Sequence, residues 1–143
     1  MQEFIVSETT KIFKKAIKNY SNKDRVEENM VSILLSLNEQ GNVRYRICHH
    51  FVPVKEVTIM DILGVKIDLK GYSFLVPPQI EKILQGFEKE TGSKNVEAGV
   101  YLNPEYDEDD ENSQEIKYFL FKEGKKVREF QLEQVLKFEM PKV

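Results

Sequence analysis

Cysteine is nearly absent from this sequence of 143 residues, which contains only Cys48. No intrachain disulfide can therefore form, a composition typical of proteins from a reducing compartment. No apolar run approaches the roughly 20 residues that cross a bilayer, since the most apolar window, Met30 to Leu37, is short and includes two serines. The first residues also lack the basic and apolar segments of a secretory signal. We therefore expect a soluble, cytoplasmic protein with no membrane segment.

Glycine patterns that bind phosphate groups are also missing. The seven glycines include no Gly-x-Gly pair, which excludes the dinucleotide-binding fingerprint. The nearest approach to a Walker phosphate loop, Gly86 to Gly92, has five intervening residues instead of four, and Ser-Lys follows in reversed order. One cysteine and two adjacent histidines do not supply the ligands of a structural zinc site. We therefore expect no cofactor and no metal ion.

Acidic residues are concentrated in one segment, residues 105–115, which holds seven acidic side chains and no basic one. The acids alternate like the first ligands of a calcium loop. However, Asn112 replaces the required glycine, and Tyr118 stands where the bidentate glutamate belongs. An EF-hand is thus excluded, and we interpret residues 104–115 as a solvated acidic loop. Its candidate contacts to a basic partner are Asp107, Asp109 and Asp110.

Two helices are predicted by apolar residues at helical spacing. The first spans about residues 7–20, and the second, about residues 78–91, has prolines at its start and a glycine at its end. The first has a basic face that could follow a phosphate backbone, although such a face is more often solvated surface. The lysines of this face are Lys11, Lys14, Lys15 and Lys18.

Strands are predicted where apolar and polar residues alternate. Two hairpins are indicated, one around the loop Asn38 to Asn42 and one around Glu123-Gly124. The predicted strands span residues 30–37, 43–51, 65–70, 72–76, 96–102, 116–121 and 127–132. Residues 54–64 fit either a helix or a strand, and a short terminal helix is expected from Leu132.

These elements predict an α+β fold, with a mostly antiparallel sheet of about six to seven strands packed with two principal helices. No internal repeat is visible, and no Pro/Gly/Ser-rich linker separates two cores. We therefore expect one domain over residues 1–143.

Cys48 and His50 are the best candidates for catalysis, because alternation along the predicted strand places both on one face. An imidazole beside a thiol favours the nucleophilic thiolate. A buried free cysteine near a hydrogen-bonded histidine is the commoner arrangement, so we assign no catalytic residue. Arg44 and Arg46 also share a strand face and, with the four lysines, are the candidate contacts to nucleic acid.

The charge distribution and the lack of catalytic motifs favour a non-enzymatic protein-interaction domain, such as a regulator, adaptor or inhibitor. Residues 1–70 carry a net charge of +2 (11 basic, 9 acidic), and residues 71–143 carry −5 (10 basic, 15 acidic). The expected partner is another protein, and an acidic loop bound to the first helix of a second copy would give a weak homo-oligomer.

Two alternatives stay open. One is a nucleic-acid-binding protein using the lysine face, which the net charge of −3 disfavours. The other is a small enzyme using Cys48 and His50. The excess of lysine over arginine, 17 to 4, indicates a low-GC bacterium or its mobile elements.

Overall fold

The fold is described by a computed structural model, which covers residues 2–63 and 76–132, with side chains over 9–62 and 78–132. The helices are α1 (Gln2–Asp24), α2 (Ile59–Leu63) and α3 (Val76–Thr91), with a 3-10 turn at Glu28–Met30. The strands are β1 (Val31–Leu37), β2 (Val43–His49), β3 (Val52–Val57), β4 (Val96–Leu102), β5 (Ile116–Lys122) and β6 (Lys125–Phe130). One antiparallel sheet with two long helices confirms the predicted α+β class.

The sheet is built from two meanders whose first strands pair in the middle. The strand order is β3-β2-β1-β4-β5-β6, and every neighbouring pair is antiparallel. At the central pairing, Leu34 of β1 lies opposite Gly99 of β4. The pairing of β1 with β4, two strands distant in sequence, joins the two meanders into one sheet.

Both long helices pack on one face of this sheet and form the hydrophobic core with it. The ring of Phe13 from α1 packs edge-on against Tyr118, with 6.4 Å between the ring centroids. Phe87 from α3 packs in the same way against Phe130, with 4.9 Å between the centroids. Burial of one such side chain stabilises a fold by about 1.5–3 kcal/mol. The largest fully buried core residues include Phe13, Ile17, Ile33, Ile47, Leu84, Ile116 and Leu120.

Helix α1 is longer than the predicted residues 7–20, because it begins at Gln2 and continues through a polar stretch to Asp24. Ser21 is buried in this last part and donates a hydrogen bond to the carbonyl of Val26. The helix ends where Arg25 adopts a left-handed conformation with φ of 57°. None of the helices in the described ranges has both the length and the apolar content that crossing a membrane requires.

The ambiguous segment at residues 54–64 contains both a strand and a helix. Strand β3 ends at Val57, and α2 begins at Ile59 after a capping box. In this box the Thr58 amide donates to Asp61 Oδ2 at 2.9 Å, and the Asp61 amide donates to Thr58 Oγ1 at 3.2 Å. The cap anchors α2, whose Ile62 side chain is buried in the core.

Several predicted strand boundaries were wrong. Strand β6 spans Lys125–Phe130 rather than residues 127–132. Strand β2 ends at His49 rather than Phe51, because His50 and Phe51 form a turn with φ of 53° and 70°. Val76 begins α3 instead of ending a strand. The strands predicted at 65–70 and 72–75 and the terminal helix beyond Leu132 lie outside the described residues.

Candidate functional site

The candidate site is the sheet face opposite the helices, which we call the open sheet face. Strand register aligns its side chains in three rows across the sheet. The rows are Pro53, Cys48, Ser32, Tyr101 and Lys117; then Glu56, Arg46, Leu34, Gly99 and Phe119; then Arg44, Ser36, Glu97, Phe121 and Lys126. No helix of the described ranges packs on this face, and a cleft of about 700 Å³ lies there.

Aromatic rings form the apolar part of the cleft. Tyr101 is central. Its ring centroid lies 5.8 Å from that of Phe51 on one side and 5.4 Å from that of Phe119 on the other. Phe121 and Leu34 complete the apolar lining. Phe51 is 71% exposed, so the line of rings runs from the middle of the sheet to solvent at the β2–β3 turn.

Gly99 allows two of these rings to lie close to the sheet. A Cβ at this position would stand 2.7 Å from Cε2 of Tyr101 and 2.8 Å from Cε2 of Phe121, both closer than real Cβ atoms approach other atoms. Glycine inside a strand commonly marks such a close approach. The missing side chain at residue 99 therefore shapes the floor of the cleft.

An ion pair crosses the floor from β2 to β4, since Arg46 donates from its guanidinium to the Glu97 carboxylate. The two side chains are only 22% and 17% exposed. Within the described residues, Arg46 Nε and the buried Ser36 Oγ have no hydrogen-bond partner. Arg46 thus neutralises Glu97, and its Nε is a buried donor without a partner among the described residues.

Two further cations line the cleft, Lys117 and Lys126. The Lys126 Nζ atom lies 3.7 Å from the centroid of the Phe119 ring, an arrangement that the ring quadrupole stabilises. Neither lysine forms an ion pair with a described carboxylate. With Arg46 and Glu97 included, the lining has three basic and one acidic side chain, a net charge of +2 in a chain whose total is −3.

Cys48 lies in this lining, but its geometry does not favour catalysis. The side chain is buried, and this burial raises the pKa of the thiol, away from the thiolate that a nucleophile needs. His50 stands in the turn after β2, so the predicted common face with Cys48 is not formed. The neighbouring His49 instead lies 2.9 Å from Asp24, measured from Nε2 to Oδ2.

The predicted nucleic-acid contacts are divided between two sides of the molecule. The lysine face belongs to α1, in the helix layer, whereas Arg44 and Arg46 belong to the open sheet face. Three of these six cations form ion pairs with described carboxylates, and Lys11, Lys15 and Lys18 are exposed. The pairs are Lys14 with Glu115, Arg44 with Glu56, and Arg46 with Glu97. The Glu115 hydrogen bond raises the pKa of Lys14.

The acidic loop is closed by hydrogen bonds at its base and folds into successive turns. The Asn103 amide donates to the Glu115 carbonyl at 2.8 Å, and the Asp107 amide donates to Ser113 Oγ at 2.9 Å. The predicted contacts Asp107, Asp109 and Asp110 are all exposed. Through Glu115 and Lys14 the loop base meets the first helix of its own chain. In the described part of the chain, no three His, Cys, Asp or Glu residues are grouped to hold a metal ion.

Most of the cleft residues were missed by the sequence analysis. The sequence of β5 contained a detectable signal. Lys117, Phe119 and Phe121 lie on one face of this strand, and Ile116, Tyr118 and Leu120 lie on the other, so both faces contain large apolar side chains. A strand with water on one face normally alternates apolar with polar residues. Phe119 and Phe121 therefore indicated a second apolar surface.

Comparisons of this chain with protein-family models, curated proteins and solved structures found no match. The functional argument therefore depends on the geometry and chemistry of the open sheet face.

Proposed function

We propose that this protein is a non-catalytic protein-interaction domain, a regulator, adaptor or inhibitor, that binds an apolar segment of another protein on its open sheet face. The observation that carries the proposal is the continuity between the aromatic cleft and the exposed Phe51. A partner that fills the cleft would also contact the Phe51 ring, because Phe51 lines the cleft and packs against Tyr101. Aromatic side chains of this kind commonly anchor protein interfaces.

The breadth of the site supports a protein segment over a small molecule. Residues of all six strands line the cleft, and strands about 4.8 Å apart place β3 and β6 about 24 Å from each other. An extended peptide of about seven residues spans this distance at roughly 3.3 Å per residue. Sites for small molecules instead enclose most of the ligand surface.

Exposed apolar side chains beside the cleft give the partner further contacts. Phe51, Val52 and Val54 are 71%, 60% and 49% exposed, and they follow one another around Pro53, which also lines the cleft. A group of exposed apolar residues commonly marks an interaction site. The surface available to a partner therefore extends from the cleft to the β2–β3 turn.

The two alternative functions have less support. A Cys48-dependent enzyme needs a thiolate, which burial of the thiol disfavours. Nucleic-acid binding through the lysine face of α1, with Arg44 and Arg46, needs free positive charge. Glu115 pairs with Lys14 on the lysine face, and Glu56 and Glu97 pair with the two arginines. A single buried cysteine suits the reducing cytoplasm, where we propose that the protein acts.

A matched pair of variants tests the proposal. Phe51→Asn removes the ring and keeps a residue type that tolerates the φ of 70°, whereas Val127→Asn changes an exposed apolar residue outside the cleft. Tagged forms of both variants and of the wild type are used to capture partners from the source organism. We expect the wild type and Val127→Asn to retain a stoichiometric partner, and Phe51→Asn to bind it about tenfold more weakly.

Equal retention by both variants would contradict the proposal. Reproducible turnover of a substrate by the purified protein would also contradict it, because the domain would then be an enzyme.

A further inference from the structure

We infer that the partner segment on the open sheet face is acidic as well as apolar, with carboxylates that bind Lys117 and Lys126. This inference rests on the proposed function and adds the charge of the partner. Both lysines line the cleft, and neither forms an ion pair within the described residues. A partner carboxylate would therefore gain a counter-ion here without displacing one that is already bound.

The two cations lie beside the aromatic anchors of the cleft. Lys117 is directly opposite Tyr101 in the strand register, and Lys126 is opposite Phe121 with its ammonium over Phe119. A partner side chain that packs on these rings thus has a cation next to it. This geometry suits an extended segment whose acidic and apolar residues occupy alternate positions on the same face, i and i+2, because alternate side chains of an extended strand point the same way.

The described carboxylates of the open sheet face do not neutralise Lys117 and Lys126. Glu97 is neutralised by Arg46, and Glu56 by Arg44. Glu129, the remaining acidic residue of this face among the described strands, is exposed on the edge strand and is not part of the cleft lining. The cleft therefore attracts anions although the whole chain is acidic.

A single-stranded nucleic acid is also anionic and stacks on aromatic rings, but the observations favour a protein. A phosphate backbone needs a row of cations along its path. The cleft offers two lysines that form no ion pair with any described carboxylate, and Glu97 and Glu129 lie on the same sheet face. Two carboxylates on a short peptide match this small number better.

The test compares three heptapeptides with leucine or phenylalanine at positions 3 and 7, glutamate, glutamine or lysine at positions 1 and 5, and serine at every even position, so that the charged and apolar side chains share one face. Binding to the full chain is followed by fluorescence anisotropy at low and high salt. We expect the glutamate peptide to bind about tenfold more tightly than the lysine peptide, and salt to reduce this difference.

Two neighbouring lysines provide the matched variants. Lys126→Gln should weaken binding of the glutamate peptide about threefold to fivefold and leave the glutamine peptide unchanged. Lys125→Gln, at an exposed position outside the cleft lining, should change neither. The glutamine peptide controls for any movement of the Phe119 ring when its cation is removed.

The outcomes separate this inference from the proposed function. If the glutamine peptide binds as tightly as the glutamate peptide, and Phe51→Asn weakens both, the acidic partner is wrong and the proposed function stands. An equal effect of Lys125→Gln and Lys126→Gln also overturns the inference, because the attraction would then be nonspecific. If no peptide binds but an oligothymidylate binds in a Lys126-dependent way, both the inference and the proposed function are wrong.

Discussion

The ring of Tyr101 lies over Gly99 so closely that a Cβ on residue 99 would stand 2.7 Å from the ring edge. Phe121 approaches the same point from β5, at 2.8 Å. Both rings therefore occupy space that any other residue at this position would fill. The shape of the cleft depends on this glycine as much as on the aromatic residues around it.

Gly99→Ala should lower the free energy of unfolding by about 0.5–2 kcal/mol. Overpacking costs about 1–3 kcal/mol, while replacing glycine within a strand recovers only about 0.5–1 kcal/mol. Urea denaturation measures the change. Part of the loss should disappear in a Tyr101→Ala background, since one of the two clashing rings is then absent. Fully additive effects would show that the rings do not contact residue 99.

Asp24 links the end of α1 to β2 and β3, and its substitution should make stability less dependent on pH. Its Oδ1 lies 2.7 Å from Lys55 Nζ, and its Oδ2 lies 2.9 Å from His49 Nε2. The Lys55 hydrogen bond, supported by His49, holds the pKa of this carboxyl below its usual 3.8. A pKa lowered in the folded state stabilises that state above the unfolded pKa, and the stabilisation is lost as pH falls through the folded value.

We therefore expect Asp24→Asn to reduce the free energy of unfolding by about 1–2 kcal/mol at neutral pH. Below about pH 4 the wild type should lose stability more steeply than the variant, because only the wild type protonates this carboxyl. Urea titrations from neutral to acidic pH measure both slopes. Parallel curves would show that Asp24 does not contribute to the acid sensitivity.

Cys48 should react slowly with alkylating agents in the folded protein, because the thiol is 3% exposed and burial raises its pKa. Iodoacetamide labelling near neutral pH, followed by mass spectrometry, should reach completion only after urea is added. The urea-unfolded protein is the control for intrinsic reactivity. Rapid labelling of the folded chain would revive the hypothesis of a Cys48-dependent enzyme.

The acidic loop should be dispensable for folding. Deleting Asp107 to Asn112 leaves the bond between the Asn103 amide and the Glu115 carbonyl, as well as the ion pair of Glu115 with Lys14. Shortening a surface loop changes its closure entropy only slowly, so the free energy of unfolding should change by less than about 1 kcal/mol. Thermal unfolding measures this. A large decrease in melting temperature would show that the turns of the loop stabilise the sheet.

Local sequence signals predicted most elements, and their limits have physical causes. The predicted strand 96–102 matches β4, and the hairpins around Asn38–Asn42 and Glu123-Gly124 are present, with Gly41 and Gly124 adopting the positive φ that each turn requires. Strand β3 was predicted only as one alternative for residues 54–64, since the turn before it contains Phe51, a bulky residue that seldom adopts positive φ.

The candidate site was harder to predict than the fold, because it depends on pairing between distant strands. Arg46 and Glu97 are 51 residues apart, and only the pairing of β1 with β4 brings them together. Alternation correctly placed Arg44 and Arg46 on one face, but it could not show which carboxylates would oppose them. Periodicity reports the face of each residue and carries no information on strand order.

The most direct test of the proposed function is photo-crosslinking from two positions of the intact protein in its native host. Benzoylphenylalanine at position 119 places the probe in the cleft, and the same residue at position 18 places it on the exposed lysine face of α1. We predict that a stoichiometric protein partner is crosslinked from position 119 and not from position 18, and that Phe51→Asn reduces this crosslink. A partner or nucleic acid captured from position 18 alone would contradict the assignment of the open sheet face as the binding surface.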